Sequence, residues 1–254
     1  MSMHASITAA IRDTSTRPAL IAYITAGFPD KATFRSQLQA VAEAADVVEI
    51  GVPFSDPMAD GSTIQRSSRR ALDQGVSLHW ILQELNELKP RPRAPLLLMS
   101  YLNPLLAFGL DKLPQAAAKA GIAGFIIPDL PYEESDDMRG ALEAEGLALV
   151  QFVTPVSPDE RMQMLCHAST GFVYAVTMTG TTGKNVDPPQ DVLDYFTRAR
   201  KLSPLPICAG FGIRNAGQIR KLAPFVDGVI VGSALVEVIE RGEDPAAFLR
   251  SLRA

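Results

Sequence analysis

Cysteine and histidine are scarce in this chain of 254 residues, which holds two of the former and three of the latter. Cys166 and Cys208 lack Cys-x-x-Cys spacing, which argues against disulfides and against a thiolate zinc site and fits a reducing compartment, with both thiols read as small buried hydrophobes. His4, His79 and His167 fall in helical or terminal segments, so no histidine-ligated metal and no histidine base at a strand end is expected. No lysine lies inside a predicted strand, which argues against a Schiff-base aldolase. Lys184 is the nearest candidate and reads as a solvated loop charge. Positive charge is also short, with 24 Lys and Arg against 28 Asp and Glu and a net charge of −4. That balance offers no footprint for a nucleic-acid backbone or an anionic membrane. No apolar run approaches the ~18 residues of a membrane-spanning helix, and the opening MSMHASITAAIRD lacks a basic stretch followed by an apolar one. The expected location is the cytoplasm, and the expected partner is a small molecule or another protein.

What the chain does hold is apolar substance, 47% of its residues, in short β-rich runs that alternate with helical ones. Eight strands are predicted, over Leu20–Ala26, Asp46–Gly51, Pro95–Tyr101, Gly124–Leu130, Leu147–Val153, Gly171–Thr177, Pro206–Gly212 and Val226–Gly232. Several are near-continuous apolar runs, as strands covered on both faces are. Between them apolar residues recur at helical spacing, as at Phe34, Leu38, Val41 and Ala45, or Val192, Phe196 and Ala199. Eight repeats in a chain close to the roughly 250 residues of a (β/α)₈ TIM barrel predict one such barrel as a single domain over 1–254, with an extra N-terminal helix over Ser2–Arg12 and a further helical piece over Ser77–Leu88.

The chemistry concentrates in Asp46–Gln65, DVVEIGVPFSDPMADGSTIQ. Strand alternation puts Val47 and Glu49 on one face and Val48 and Ile50 on the other, so Glu49 points into an apolar interior, where an unpaired carboxylate is costly. Glu49 is therefore either a functional group or half of a structural ion pair. Asp60, in the loop behind, is either a second functional carboxylate or the N-cap of the helix over Thr63–Asp73. In such barrels the strand C-termini and their following loops face the active site. There stand Thr179-Gly180-Thr181-Thr182-Gly183 after strand six, Gly210-Phe211-Gly212 at the end of strand seven and Gly232-Ser233 after strand eight. Glycines that admit backbone N–H groups, ahead of helix N-termini, form a candidate phosphate site.

Ile21-Ala22-Tyr23-Ile24-Thr25-Ala26-Gly27, the block Glu49–Pro57, Ala59-Asp60-Gly61, Tyr101-Leu102-Asn103-Pro104, Pro128-Asp129-Leu130-Pro131, Gly210-Phe211-Gly212-Ile213 and Gly232-Ser233-Ala234 together resemble the α subunit of tryptophan synthase. The resemblance runs over essentially the whole chain. It implies a barrel that cleaves indole-3-glycerol phosphate to indole and glyceraldehyde 3-phosphate, with no cofactor of its own, beside a pyridoxal-phosphate β subunit in an α2β2 assembly. It also implies Glu49 as principal acid/base, Asp60 as second carboxylate and Tyr174 as an active-site tyrosine, where an ordinary core aromatic is the alternative. Gly183, Gly212, Gly232 and Ser233 fall on the family's phosphate positions, and Tyr23 and Phe211 on its indole pocket. Thr182 matches a lid threonine that engages the second carboxylate. Asp56 and Asp129 match residues of β-subunit contact and signalling, with turn capping as the alternative. Met58, Ser62, Thr181 and Lys184-Asn185 depart from the family's usual residues and leave these positions intact.

Retro-aldol cleavage suits this inventory, because a protonated indole ring is itself the electron sink and needs neither metal nor imine. Two rivals stand beside this reading. A phosphosugar isomerase would share the phosphate site and use Glu49 as base, and a non-catalytic subunit would serve mainly to activate a partner.

Overall fold

A computed structural model describes residues 3–177, 188–210 and 212–253. Eight parallel strands close into a barrel in which each strand pairs with the next in sequence and the eighth with the first. They are β1 (Ala19–Thr25), β2 (Val47–Gly51), β3 (Leu96–Met99), β4 (Ile122–Ile126), β5 (Ala148–Val153), β6 (Val173–Val176), β7 (Ile207–Gly210) and β8 (Gly228–Val231). Every residue of β1, β2, β4 and β8 is buried, as expected where helices cover the outer face and side chains fill the inner one.

Two packed shells follow from the alternation of strand side chains. The inner shell holds Ile21, Val47, Leu97, Val150, Tyr174 and Cys208. The outer shell packs Val48, Ile50 and Leu98 against helix residues such as Phe34, Leu38, Val41 and Phe196. The helix Phe34–Ala44 stops one residue short of the predicted stripe, so that Ala45 is extended and half-buried. Both cysteines are free and buried.

The N-terminal helix Met3–Arg12 closes the bottom of the barrel. Its Ile7 and Ile11 join the inner shell, and Thr8 Oγ1 donates to Gly171 O at 2.7 Å. Gly171 has φ +85°, and a Cβ there would lie 3.2 Å from Ile7 Cδ1, so the close seat of the helix requires glycine.

At the same end an aspartate stands immediately before β2 and another immediately before β8, each gripping the preceding strand. Asp46 N–H donates to Leu20 O at 2.8 Å while its Oδ2 accepts from Leu20 N at 2.7 Å. Asp227 does the same to Ile207, at 2.8 and 2.9 Å. Each carboxylate is backed by a guanidinium, Arg253 at 2.9 Å and Arg200 at 3.0 Å.

Two predicted strand ends move for backbone reasons. β4 runs Ile122–Ile126 rather than to Leu130, since Pro128 has no N–H for a ladder and Leu130 N–H turns back to Ile127 O. β7 ends at Gly210 because Gly212 adopts φ +69°, a left-handed conformation that leaves the sheet. Among the described residues no helix is long and apolar enough to cross a membrane.

Candidate active site

At the C-terminal end of the strands a cavity of about 240 Å³ is lined by Glu49, Asp60, Tyr23, Tyr174, Gly212, Gly232 and Ser233, with Met99, Phe152 and Ile230 among its apolar walls. A wider depression of about 1010 Å³ lies at the opposite end, between Asp13, Glu43 and Arg93. It holds none of the buried unpartnered polar atoms found among the described residues.

Glu49 is completely buried, and neither carboxylate oxygen has a hydrogen-bond partner. The inward face of β2 puts it there: Val47, one pleat earlier, belongs to the inner shell. No ion pair among the described residues includes Glu49, which removes the structural ion pair as its explanation. Burial pushes its carboxyl up to about 8, because a low-dielectric setting disfavours the charged form. Desolvation is the cause of the rise, with no contribution from an ionised neighbour.

Asp60 is half-buried on the loop after β2. The helix that follows, Ser62–Asp73, has Gly61 as its N-cap and no side-chain cap, so Asp60 is not spent on capping. Burial pushes its carboxyl up to about 6, against an opposing hydrogen bond with Tyr101. The two carboxyls thus titrate in different ranges.

Tyr23 and Tyr174 stand on β1 and β6, and burial raises both phenols well above their ordinary value. Tyr23 Oη lies 3.5 Å from Thr25 Oγ1, which is 2.6 Å from Ser67 Oγ. A Cβ on Gly51 would come within 2.1 Å of the Tyr23 hydroxyl, and one on Gly210 within 2.7 Å of Tyr174 Cε1. Each tyrosine therefore occupies room that a neighbouring strand leaves by ending in glycine. Tyr174 also meets Phe152 with ring centroids 4.9 Å apart, which adds an aromatic wall.

Ser233 is the first residue of the helix Ser233–Glu240, and Gly232 caps it without a side chain. The first backbone N–H groups of that helix have no intrahelical acceptor and lie at the cavity edge. The Arg214 guanidinium is engaged by Glu237 of the same helix at 2.8 and 2.9 Å, so among the described residues main-chain dipoles rather than this cation set the potential there.

Asp56 and Asp129 lie outside the cavity lining. Asp56 is exposed and accepts from Ser55 Oγ. Asp129 is exposed and accepts from Leu102 N at 2.8 Å, at the start of the helix Leu102–Phe108. Thr182, Gly183 and Phe211 fall outside the described residues, as does the whole stretch Thr179–Gly183 after strand six. Among the described residues no three His, Cys, Asp or Glu side chains gather as metal ligands. Sequence reasoning missed Phe152 and Tyr101. Phe152 shares inward parity with Ala148 and Val150 on β5, and that parity is its signal. Tyr101, two residues past β3, carries only the general signal of its position at a strand end.

A family model described as tryptophan synthase alpha chain matches residues 10–253. The chain is 48% identical over 236 residues to the tryptophan synthase alpha chain of Desulfovibrio desulfuricans, covering 92% of each. To that of Bacillus mycoides it is 42% identical over 225 residues, covering 88% of this chain and 87% of the other. The solved tryptophan synthase subunit alpha from Legionella pneumophila superposes with a TM-score of 0.88 at 32% identity, covering 100% of this chain and 97% of that one. A chain of tryptophan synthase from M. tuberculosis, in an aminoacrylate-bound form, gives 0.87 at 32% identity, covering 100% and 99%. With an eight-stranded parallel barrel and a model match over nearly its full length, the chain belongs to the tryptophan synthase alpha chain family.

Proposed function

We propose that this chain is a carbon–carbon lyase of tryptophan biosynthesis that cleaves indole-3-glycerol phosphate to indole and glyceraldehyde 3-phosphate. The observation that carries the reading is Glu49, a buried carboxyl with both oxygens unpartnered at the wall of a cavity that Asp60 also lines. A group buried at such cost without a partner is free for a substrate.

In the first step the protonated Glu49 carboxyl gives its proton to C3 of the indole ring. The ring becomes an iminium, and the ionised Asp60 accepts a hydrogen bond from its N–H and balances the charge. The Glu49 carboxylate then takes the proton from the glycerol hydroxyl beside the breaking bond. That oxygen becomes the aldehyde carbonyl, the bonding electron pair returns to the ring, indole leaves, and Glu49 is again protonated. One group with its pKa near working pH serves both transfers, while the less buried carboxyl stays charged, two roles set by two environments.

Tyr23, Tyr174 and Phe152 supply apolar faces for the indole ring. The N-terminus of Ser233–Glu240, with Gly212, Gly232 and Ser233, receives the phosphate, and Gly183 is proposed to complete that site. Phe211 is proposed for the indole wall and Thr182 for the loop that closes on Asp60. Asp56 and Asp129 are proposed to couple this site to a β subunit, in an α2β2 assembly in the cytoplasm, where pyridoxal phosphate belongs to the β subunit and this chain carries no cofactor.

Release of glyceraldehyde 3-phosphate by the purified chain, alone and with a tryptophan synthase β subunit, tests the proposal. The expected result is slow release that rises strongly with the partner. Fast release alone would mark a stand-alone lyase, and none under either condition would return the isomerase or the non-catalytic subunit.

A further inference from the structure

Tyr101 is buried just past β3 and opens the helix Leu102–Phe108 as its N-cap residue. It is not part of the cavity lining, yet it holds the loop after β2 at two points. Its hydroxyl accepts from Ala59 N at 2.8 Å, one residue before Asp60, whose carboxyl it draws down against the effect of burial. Its ring stacks on Phe54, with centroids 5.1 Å apart and planes 27° apart.

A phenol has one proton and can accept as well. With the Ala59 N–H as donor to its oxygen, the hydroxyl proton is left free for the neighbouring Asp60, where an ionised acceptor makes the stronger bond. Tyr101 is itself anchored, since Ser100 Oγ donates to Tyr101 O at 2.8 Å and Leu102 N donates to Asp129. The stretch between β2 and the helix Ser62–Asp73 has no regular structure, and that helix takes no cap from Asp60.

We propose that Tyr101 is a positioning residue, which holds the loop by the Ala59 amide and the Phe54 ring, offers its hydroxyl proton to the Asp60 carboxylate, and so aims that carboxylate at the ring N–H of bound substrate. The inference rests on the lyase reading. A charged group on an irregular loop stabilises a developing cation only if it is held before the reaction, and the clamp supplies that hold from outside the reacting atoms. Glu49 of β2, Tyr23 of β1 and Tyr174 of β6 are the other titratable groups about Asp60.

The test compares wild type, Tyr101→Phe, Asp60→Asn and the double variant, each with a β subunit. Tyr101→Phe keeps the ring stack and removes the clamp. Binding of 3-indolylpropanol phosphate, read by calorimetry, should weaken about three- to tenfold in Tyr101→Phe and not weaken further when the change is made in Asp60→Asn, because contacting residues of one network are non-additive. Glyceraldehyde 3-phosphate release should fall in kcat by about tenfold or more, and its acid limb should move to higher pH, since the hydroxyl bond holds the Asp60 carboxyl down. Carbon-13 NMR of the Asp60 carboxyl should show the same upward shift without turnover. Equal losses in both backgrounds, or an unmoved Asp60 titration, overturn the clamp. Wild-type enzyme that binds the analogue but releases no product overturns the lyase reading and the role in catalysis with it, while the NMR shift still reports whether the hydroxyl holds Asp60.

Discussion

Tyr23 and Glu49 are register partners across β1 and β2, so both side chains enter the barrel at one level, the phenol beside an acid that no hydrogen bond satisfies. That neighbourhood leaves Glu49 without charge stabilisation, and its titration becomes a property of the fold. The carboxyl rises from 4.5 to about 8, so between those values the folded chain holds a proton that the unfolded chain has released. Stability from this group is complete below about 4.5 and is lost as pH rises through about 8. Glu49→Gln should therefore flatten the fall in melting temperature over that window. The same variant should lose roughly 10²–10⁴-fold in turnover while keeping affinity for a substrate analogue; normal turnover would refute the assignment.

A bell-shaped dependence of kcat/KM on pH is expected. Asp60 must be ionised and rises to about 6, and Glu49 must be protonated for the first transfer and rises to about 8. The profile should climb through the lower value and decline through the upper, each limb belonging to the coupled pair as a whole. In Glu49→Asp the alkaline limb should move while the acid limb holds. A flat profile between pH 5 and 9 would contradict the division of roles.

Gly51→Ala tests the room that the strand ends leave. The added methyl would sit 2.1 Å from Tyr23 Oη and 2.5 Å from Cζ, an overpacking that costs about 1–3 kcal/mol. Thermal unfolding should register the loss, and analogue binding should weaken because the displaced ring enters the cavity. Adding Tyr23→Val should restore part of the melting temperature without restoring binding.

At the other end of the barrel, Arg253→Ala should act on stability alone. The guanidinium bonds Asp46, Ala44 O and Thr16, and its removal leaves a mostly buried carboxylate with fewer partners, at a cost of about 1–3 kcal/mol. Urea unfolding should show it, with kcat within about twofold of wild type. A large change in kcat would mean that the bottom of the barrel communicates with the cavity.

Much of the barrel was legible because its information is local. Apolar runs mark strands covered on both faces, and a two-residue period is enough to turn Glu49 inward with Val47. The ends of β4 and β7 were less legible. Ile127 and Leu130 are as apolar as strand residues, and the stop is imposed by Pro128 and by the left-handed Gly212 rather than by hydropathy. Asp60 illustrates a choice that sequence leaves open, since Asp-Gly-Ser admits a cap at either of the first two residues and only the backbone shows that Gly61 takes it. The contacts of Tyr101 could not be read, because its partners at 54 and 59 come from the loop after β2, which the pairing of β2 with β3 brings beside it.

The paired aspartates before β2 and β8 carry a consequence for how such a molecule can change. Each ties the start of a strand to its neighbour with one main-chain bond, one bond from a main-chain N–H to its carboxylate, and a guanidinium behind it, so the stagger of the sheet is fixed where no substrate comes. The loops at the far rim are then relieved of any part in setting that stagger. Residues there, such as Met58, 93% exposed, and Ser62, can be exchanged for a new partner surface or a new pace of turnover while the wall that carries Glu49 keeps its shape.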